Sequence, residues 1–206
     1  MVALTREQIV LTALGLAEQR SWESVRLYQI ASELGVTLED LRTQFREKED
    51  IVDAWFDSAD RAMLVDAGRS DFLKLSARGR LHRTMMTWFS ALSAHRRPTR
   101  EMILGKFEFG HVHYQISGAL RVSRTVQWIR EAAQRDARLP RRAFEEAALT
   151  GIYLAAFLRW MYDDSAESSR TAHFLDCLLI QAGKISRGFA SGEQTAGPKP
   201  GNDSFK

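Results

Sequence analysis

The first forty residues contain the same helix-opening signal twice, and the second copy lies just behind a glycine. In Leu4-Thr5-Arg6-Glu7-Gln8-Ile9, Thr5 can accept from the backbone N–H of Gln8, Gln8 can reach back, and Leu4 can pack on Ile9. That is a capping box with a hydrophobic staple. Val36-Thr37-Leu38-Glu39-Asp40-Leu41 repeats the device, with Thr37 as cap and Asp40 reaching back. Gly35 suits the left-handed end of a preceding helix. Leu27–Leu34 therefore reads as a short helix, 35–37 as a tight turn and Leu38–Phe45 as a second short helix. A short helix, a glycine-containing turn and another short helix make a helix-turn-helix. Ile30, Ala31, Leu34, Val36, Leu41 and Phe45 supply its small core.

The rest of the chain extends this pattern. Proline occurs only at 98, 140, 198 and 200, and apolar residues recur at helical spacing, as in Met85, Phe89 and Leu92. No stretch alternates as a strand would. The expectation is an all-α protein of about nine helices, near 5–20, 26–34, 38–45, 48–66, 77–94, 98–108, 114–135, 141–162 and 166–187. A helix-turn-helix domain occupies 1–47, a larger helical bundle 48–190, and a disordered Gly-, Pro- and Ser-rich tail 191–206. One cysteine in 206 residues excludes an internal disulfide framework. Residues 1–6 lack the apolar run of a signal peptide, and Ala147–Leu158, twelve residues, is as long as any uncharged run. A membrane span needs about 20. A cytoplasmic protein with no integral membrane segment is expected. Glycine-rich phosphate loops, nucleophile elbows and metal-ligand spacings are missing, so neither an enzyme nor a cofactor is expected.

The pattern resembles the tetracycline-repressor (TetR) family of bacterial regulators. The residues that carry it run from Ile9, Ala13 and Ala17 through Ile30-Ala31, Leu34-Gly35-Val36-Thr37 and Leu41 to Phe45, Lys48 and Ile51. The resemblance implies a dimer formed through the last two helices, operator binding by the third helix and a small apolar effector in the C-terminal domain. Arg42 stands where the family usually has an aromatic, and Glu39 and Asp40 stand where small or polar residues are usual. A second segment, Gly151-Ile152-Tyr153-Leu154-Ala155-Ala156-Phe157-Leu158-Arg159-Trp160, is followed by Asp163-Asp164-Ser165, Arg170-Thr171 and Leu175-Asp176. It is similar to lipid-binding accessory proteins of coenzyme Q biosynthesis that share the fold. That resemblance implies an alternative: a protein that keeps the fold, holds a lipid-like molecule and does not bind DNA.

Charge bears on the choice. Residues 1–60 carry six basic and twelve acidic side chains, whereas the remainder carries 23 and 14. The front of the protein is net −6 and the rest +9. Phosphate contact normally supplies much of DNA affinity, so an acidic front opposes approach. Against this, Thr37, Arg42, Thr43 and Gln44 are candidates to reach bases, and Tyr28 and Lys48 to contact phosphate. Asp40 is accounted for as the capping partner, and Glu39 by the helix dipole.

In the C-terminal part, Met85, Trp88, Phe89, Phe107, His111, Tyr114, Trp128, Tyr153 and Phe157 are the candidate lining of an apolar effector pocket; each taken singly also reads as ordinary core. His111 and His113 lack the neighbours of a metal site. Asp164, with Glu167 three residues on, reads as the cap of the last helix. Cys177 reads as a small buried hydrophobe. Gly151 and Ala155, with Phe174, Leu175, Leu178 and Leu179, mark the helices at 141–162 and 166–187 as a homodimer face. Arg78, Arg80, Arg83, Arg96, Arg97, Arg100 and Lys106 read as a solvated basic face or as a contact for an anionic partner.

Overall fold

The structure, a computed structural model, describes the backbone over residues 4–105, 112–135 and 141–195, and the side chains within them except at 112–119, 141 and 187–195. Among the described residues there are nine α-helices and no strand. The first three, α1 (Arg6–Gln19), α2 (Leu27–Leu34) and α3 (Leu38–Gln44), form the compact front unit. Both capping boxes are present. Thr5 Oγ accepts from Gln8 N at 3.2 Å while Gln8 Oε1 accepts from Thr5 N at 2.9 Å. Thr37 Oγ accepts from Asp40 N at 3.1 Å, and Asp40 Oδ2 accepts from Thr37 N at 3.0 Å. Gly35 is left-handed at φ +65°. Val36 N–H reaches back to the Ala31 carbonyl at 3.0 Å, the closure that satisfies the last carbonyls of a helix. Ile9, Ala13, Ala17, Ile30, Leu41 and Phe45 are buried at the centre.

The helix α4 (Lys48–Ala67) joins this unit to the rest. Its first half packs on α1; its second half lies along α5 (Ala77–Leu92) and α7 (Val112–Ala132). Ile51, Trp55, Phe56, Ala59 and Met63 are buried along one side, so the apolar core runs continuously from Ile9 to Leu179. The two parts therefore share one core, with α4 as its spine. Beyond α5, a 3-10 turn at Ser93–His95 leads directly into α6 (Arg96–Gly105). Pro98 sits in the first turn of α6, where its missing N–H costs nothing; the helix therefore begins before the proline. The last helices are α8 (Arg141–Met161) and α9 (Ser169–Thr195), and α9 continues past Ser191, where composition places the tail.

The α8–α9 corner corrects one expectation. Asp163, not Asp164, organises it. Asp163 is 2% exposed and accepts from Ser165 N (3.0 Å) and Oγ (2.5 Å), and from Thr171 N (2.7 Å) and Oγ (2.6 Å). Burial opposes its ionisation, but these bonds outweigh it and hold the carboxyl far below the usual range. Asp164 is exposed. Glu167 and Ser168 adopt left-handed φ of 52° and 56°, a conformation unfavourable for side chains with a Cβ. Asp163, Ser165 and Thr171 are thus the builders of this turn.

Of the basic residues expected on a solvated face, Arg78 and Arg97 are exposed and Lys106 lies outside the described residues, whereas Arg83 and Arg96 are struts. Arg83 forks onto Asp66 at 2.7 Å and reaches Asp71 at 2.7 Å; these bonds lower both carboxyls and raise the guanidinium. Arg96 donates to the Asp163 carbonyl and to Ser168 Oγ, tying α6 to the α8–α9 corner.

Candidate functional site

Leu41 and Phe45 turn inward, so the outward side of α3 carries Glu39, Asp40, Arg42 and Thr43. Arg6 of α1 fixes the far end of α3: its guanidinium lies 4.1 Å from the Phe45 ring and donates to the Gln44 carbonyl at 2.6 Å. Thr37, Arg42 and Thr43 are exposed, as is Tyr28 at 61%, while Gln44 is half-buried. Thr43 Oγ donates to the Asp40 carbonyl at 2.7 Å, which leaves its methyl group and oxygen lone pairs for any outside partner.

Of the two acids on this helix, Asp40 is engaged by the cap, and its bonds to Thr37 lower its pKa. Glu39 is paired with Arg42 at 3.5 Å, both side chains 73% exposed. Lys48 has internal partners as well. Its Nζ donates to the Trp22 carbonyl at 2.5 Å and lies 4.5 Å from the Trp22 ring centre. Burial, and then the nearby Arg26 charge, push its pKa down. Lys48 thus closes the α1–α2 loop onto the start of α4.

A second constellation connects this front unit to the remainder. Arg97 of α6 donates to the carbonyls of Ala17 (2.9 Å) and Glu18 (2.6 Å), the open end of α1. Glu101, one turn later, accepts from Trp22 N–H at 2.7 Å. Trp55 of α4 donates to Thr99 Oγ at 2.8 Å. Together these bonds tie α6 to α1, to the α1–α2 loop and to α4.

The third is the aromatic interior. Trp88 stacks on Phe56 at 5.9 Å and meets Phe89, Tyr153 and Phe157 edge-on at 5.4–5.6 Å. Trp160 joins through Phe89 and Phe157. Of the candidate lining, Met85, Trp88, Phe89, Tyr153 and Phe157 are buried together. Trp128 is not part of the group: it is 45% exposed on α7. The side chains of Phe107, His111, His113 and Tyr114 lie outside the described residues.

The interior also contains polar groups that the sequence reading missed. Asp60 is 7% exposed and accepts from Trp88 Nε1 (2.7 Å), Thr125 Oγ (3.1 Å) and Arg121 Nη2 (3.0 Å). Burial raises the Asp60 carboxyl, and Arg121 only partly offsets it. Burial and the neighbouring Asp60 also push the Tyr153 hydroxyl up. The signal was present: Asp60 falls on the apolar stripe Phe56, Ala59, Met63, where a carboxylate needs buried partners.

On the outside of α8 and α9, Gly151, Leu154, Leu158, Tyr162 and Phe174 are exposed. Leu175 and Leu179 turn into the protein's own core instead, which narrows the candidate dimer face. Cys177 is half-buried, in an open groove with Arg159, Arg170, His173 and Phe174, and is not a core residue. No described helix is long and apolar enough to cross a membrane. Among the described residues no three His, Cys, Asp or Glu gather as metal ligands.

Neither a protein-family model nor a curated protein matches the sequence. Solved structures do. The chain is 49% identical to a TetR transcriptional regulator from Nitrosomonas europaea ATCC 19718, with a TM-score of 0.78 over 86% of this chain and 97% of that one. A TetR transcriptional regulator from Rhodococcus sp. RHA1 shares the fold, at 19% identity and a TM-score of 0.61 over 85% and 96%.

Proposed function

We propose that this chain, which belongs to the TetR family of transcriptional regulators, acts as a homodimer that binds an operator through α3 and releases it when an apolar effector enters the C-terminal bundle. The observation that carries the reading is the outward side of α3: Arg42 and Thr43 stand exposed on a helix fixed at both ends, by the Thr37 cap and by Arg6. A fixed helix presents the same side chains to every groove it enters, which base readout requires. Thr37, Arg42, Thr43 and Gln44 are assigned to base edges and Tyr28 to phosphate. Lys48 is assigned to holding the α1–α2 loop, with any phosphate contact secondary to that.

Dimerisation is assigned to the exposed side of α8 and α9, where Gly151 allows close approach and Leu154, Leu158, Tyr162 and Phe174 offer apolar area. The effector is assigned to the neighbourhood of Met85, Trp88, Phe89, Tyr153 and Phe157, with Asp60 and Arg121 as a polar floor. Phe107, His111 and Tyr114 complete that proposed lining. Since these rings already cover one another's faces, an entering molecule must displace part of the set. Displacement there moves α5 and α6, and α6 holds α1 through Arg97 and Glu101. The ligand then shifts the population toward a recognition-helix spacing that no longer fits successive major grooves.

The test is mobility-shift titration with the DNA upstream of the protein's own coding sequence. The wild type is expected to retain a defined fragment against excess random DNA, and Arg42→Ala to lose that preference while staying folded. Equal loss on both DNAs contradicts the assignment of Arg42 to base reading.

A further inference from the structure

Glu39 occupies the position on α3 where an acid is least expected. Leu41 and Phe45 mark the buried side, at 0% and 1% exposure. At 3.6 residues per turn the opposite side is centred between Glu39 and Thr43, one turn apart. Glu39 is thus at the middle of the surface that meets a groove floor, and its neighbour Asp40 is turned aside into the cap. The helix dipole explains why an acid is tolerated there in the free protein. It does not explain why one faces DNA, where every phosphate repels it.

Two facts resolve this. Arg42 Nη1 lies 3.5 Å from Glu39 Oε1 on the exposed side of the helix, so the pair approaches DNA without net charge. That contact engages one Nη of Arg42, and the guanidinium presents five donors, so the rest of its fork stays open. In the major groove, guanine offers two acceptors to such a fork, whereas cytosine and adenine alone offer donors to a carboxylate. Thr43, beside them, has its hydroxyl proton committed to the Asp40 carbonyl and cannot serve the same acceptors.

The geometry points to Glu39 as a specificity residue that accepts from a cytosine N4 amine, working beside Arg42 on a guanine. The inference rests on the reading of α3 as a DNA-binding helix. Glu39 then acts twice: it orients Arg42, and it penalises any site that sets an acceptor or a methyl group where the cytosine amine belongs. Leaving a carboxylate unpaired against such a base is costly, so the acid sharpens selection while lowering affinity for arbitrary sequence.

The experiment is selection from a randomised double-stranded DNA library by the full-length protein, comparing wild type with Glu39→Ala, Glu39→Gln and Arg42→Ala. The wild type is expected to enrich one cytosine next to one guanine in each half-site, mirrored across the dyad. Glu39→Gln is expected to move the preference at the cytosine position to adenine, which glutamine reads through N6 and N7. Glu39→Ala should lower the preference there by about tenfold, and Arg42→Ala should do so at the guanine. If both Glu39 variants keep the wild-type base preference and merely bind all DNA more tightly, the acid is a repulsive bystander and the inference is overturned. If the wild type enriches no sequence, the DNA-binding reading fails and takes this inference with it. Retained base selection with an unmoved cytosine position sinks this inference alone.

Discussion

Of the adjacent acid pairs near helix starts in this chain, Glu39-Asp40 on α3 and Asp163-Asp164 ahead of α9 are used by the fold in opposite ways. On α3 the second acid is the capping partner, three residues after Thr37, and every bond is local. At the α8–α9 corner the first acid is the one engaged. It binds Thr171, eight residues away, and its carbonyl accepts from Arg96. The first arrangement follows from a short sequence rule. The second requires that α6 and α9 already be in place. The acids differ in consequence as well: one remains at the surface and shapes recognition, while the other is buried and fixes a left-handed turn.

That contrast can be tested by substitution. Asp163→Ala should have the largest effect, lowering unfolding stability by about 3 kcal/mol, because it leaves buried donors of Ser165 and Thr171 without an acceptor. Asp164→Ala should change it by less than about 0.5 kcal/mol, as expected for an exposed residue outside such features. Chemical denaturation of both variants measures the difference, and equal effects would remove the distinction drawn here. Thr37→Ala should be intermediate, about 1 kcal/mol, the usual cost of losing a helix cap.

The pH dependence sharpens the same comparison. The Asp163 carboxyl lies below its unfolded value of 3.8. Its contribution is therefore fully present above pH about 4 and is lost as pH falls below that toward its folded value. Asp60 has the opposite sign, since its folded carboxyl is raised above 3.8. Its protonated form is favoured in the fold, and stability from it falls as pH rises through that raised value. Denaturation midpoints from pH 3 to 6 are expected to lose the acid-limb slope in Asp163→Asn and the opposing slope in Asp60→Asn.

A small stability effect is also expected at the strut between α6 and α1. Arg97→Ala should cost about 1 kcal/mol or less, since its hydrogen bonds are partly exposed. Its readout is regulation: the variant should still bind operator but should respond less to effector. Unchanged effector release would remove Arg97 from the proposed route.

What was legible in the sequence follows the same division. Thr5, Gln8, Gly35, Thr37 and Asp40 act through contacts three to five residues away, and each was readable as written. Leu41 and Phe45 were readable because periodicity alone sets their side of the helix. The partners of Lys48, Asp163, Arg96 and Arg97 were not readable because they lie 26 or more residues away, or across a turn whose shape no local rule gives. Asp60 and Arg121 escaped notice for the same reason, although an acid on an apolar stripe was a usable sign. Trp128 shows the converse. Its residue type suggested burial, but α7 turns it outward.

Sequence-specific binding by an acidic front unit is the central claim. The direct measurement is fluorescence anisotropy of the full-length protein on its own upstream DNA and on random DNA of equal length, across salt concentration. The account predicts a ratio of affinities of about a thousandfold or more. It also predicts a shallow salt dependence on both DNAs, because few cations on this front are free to displace counterions. Equal affinities at moderate salt, both falling steeply as salt rises, would contradict it.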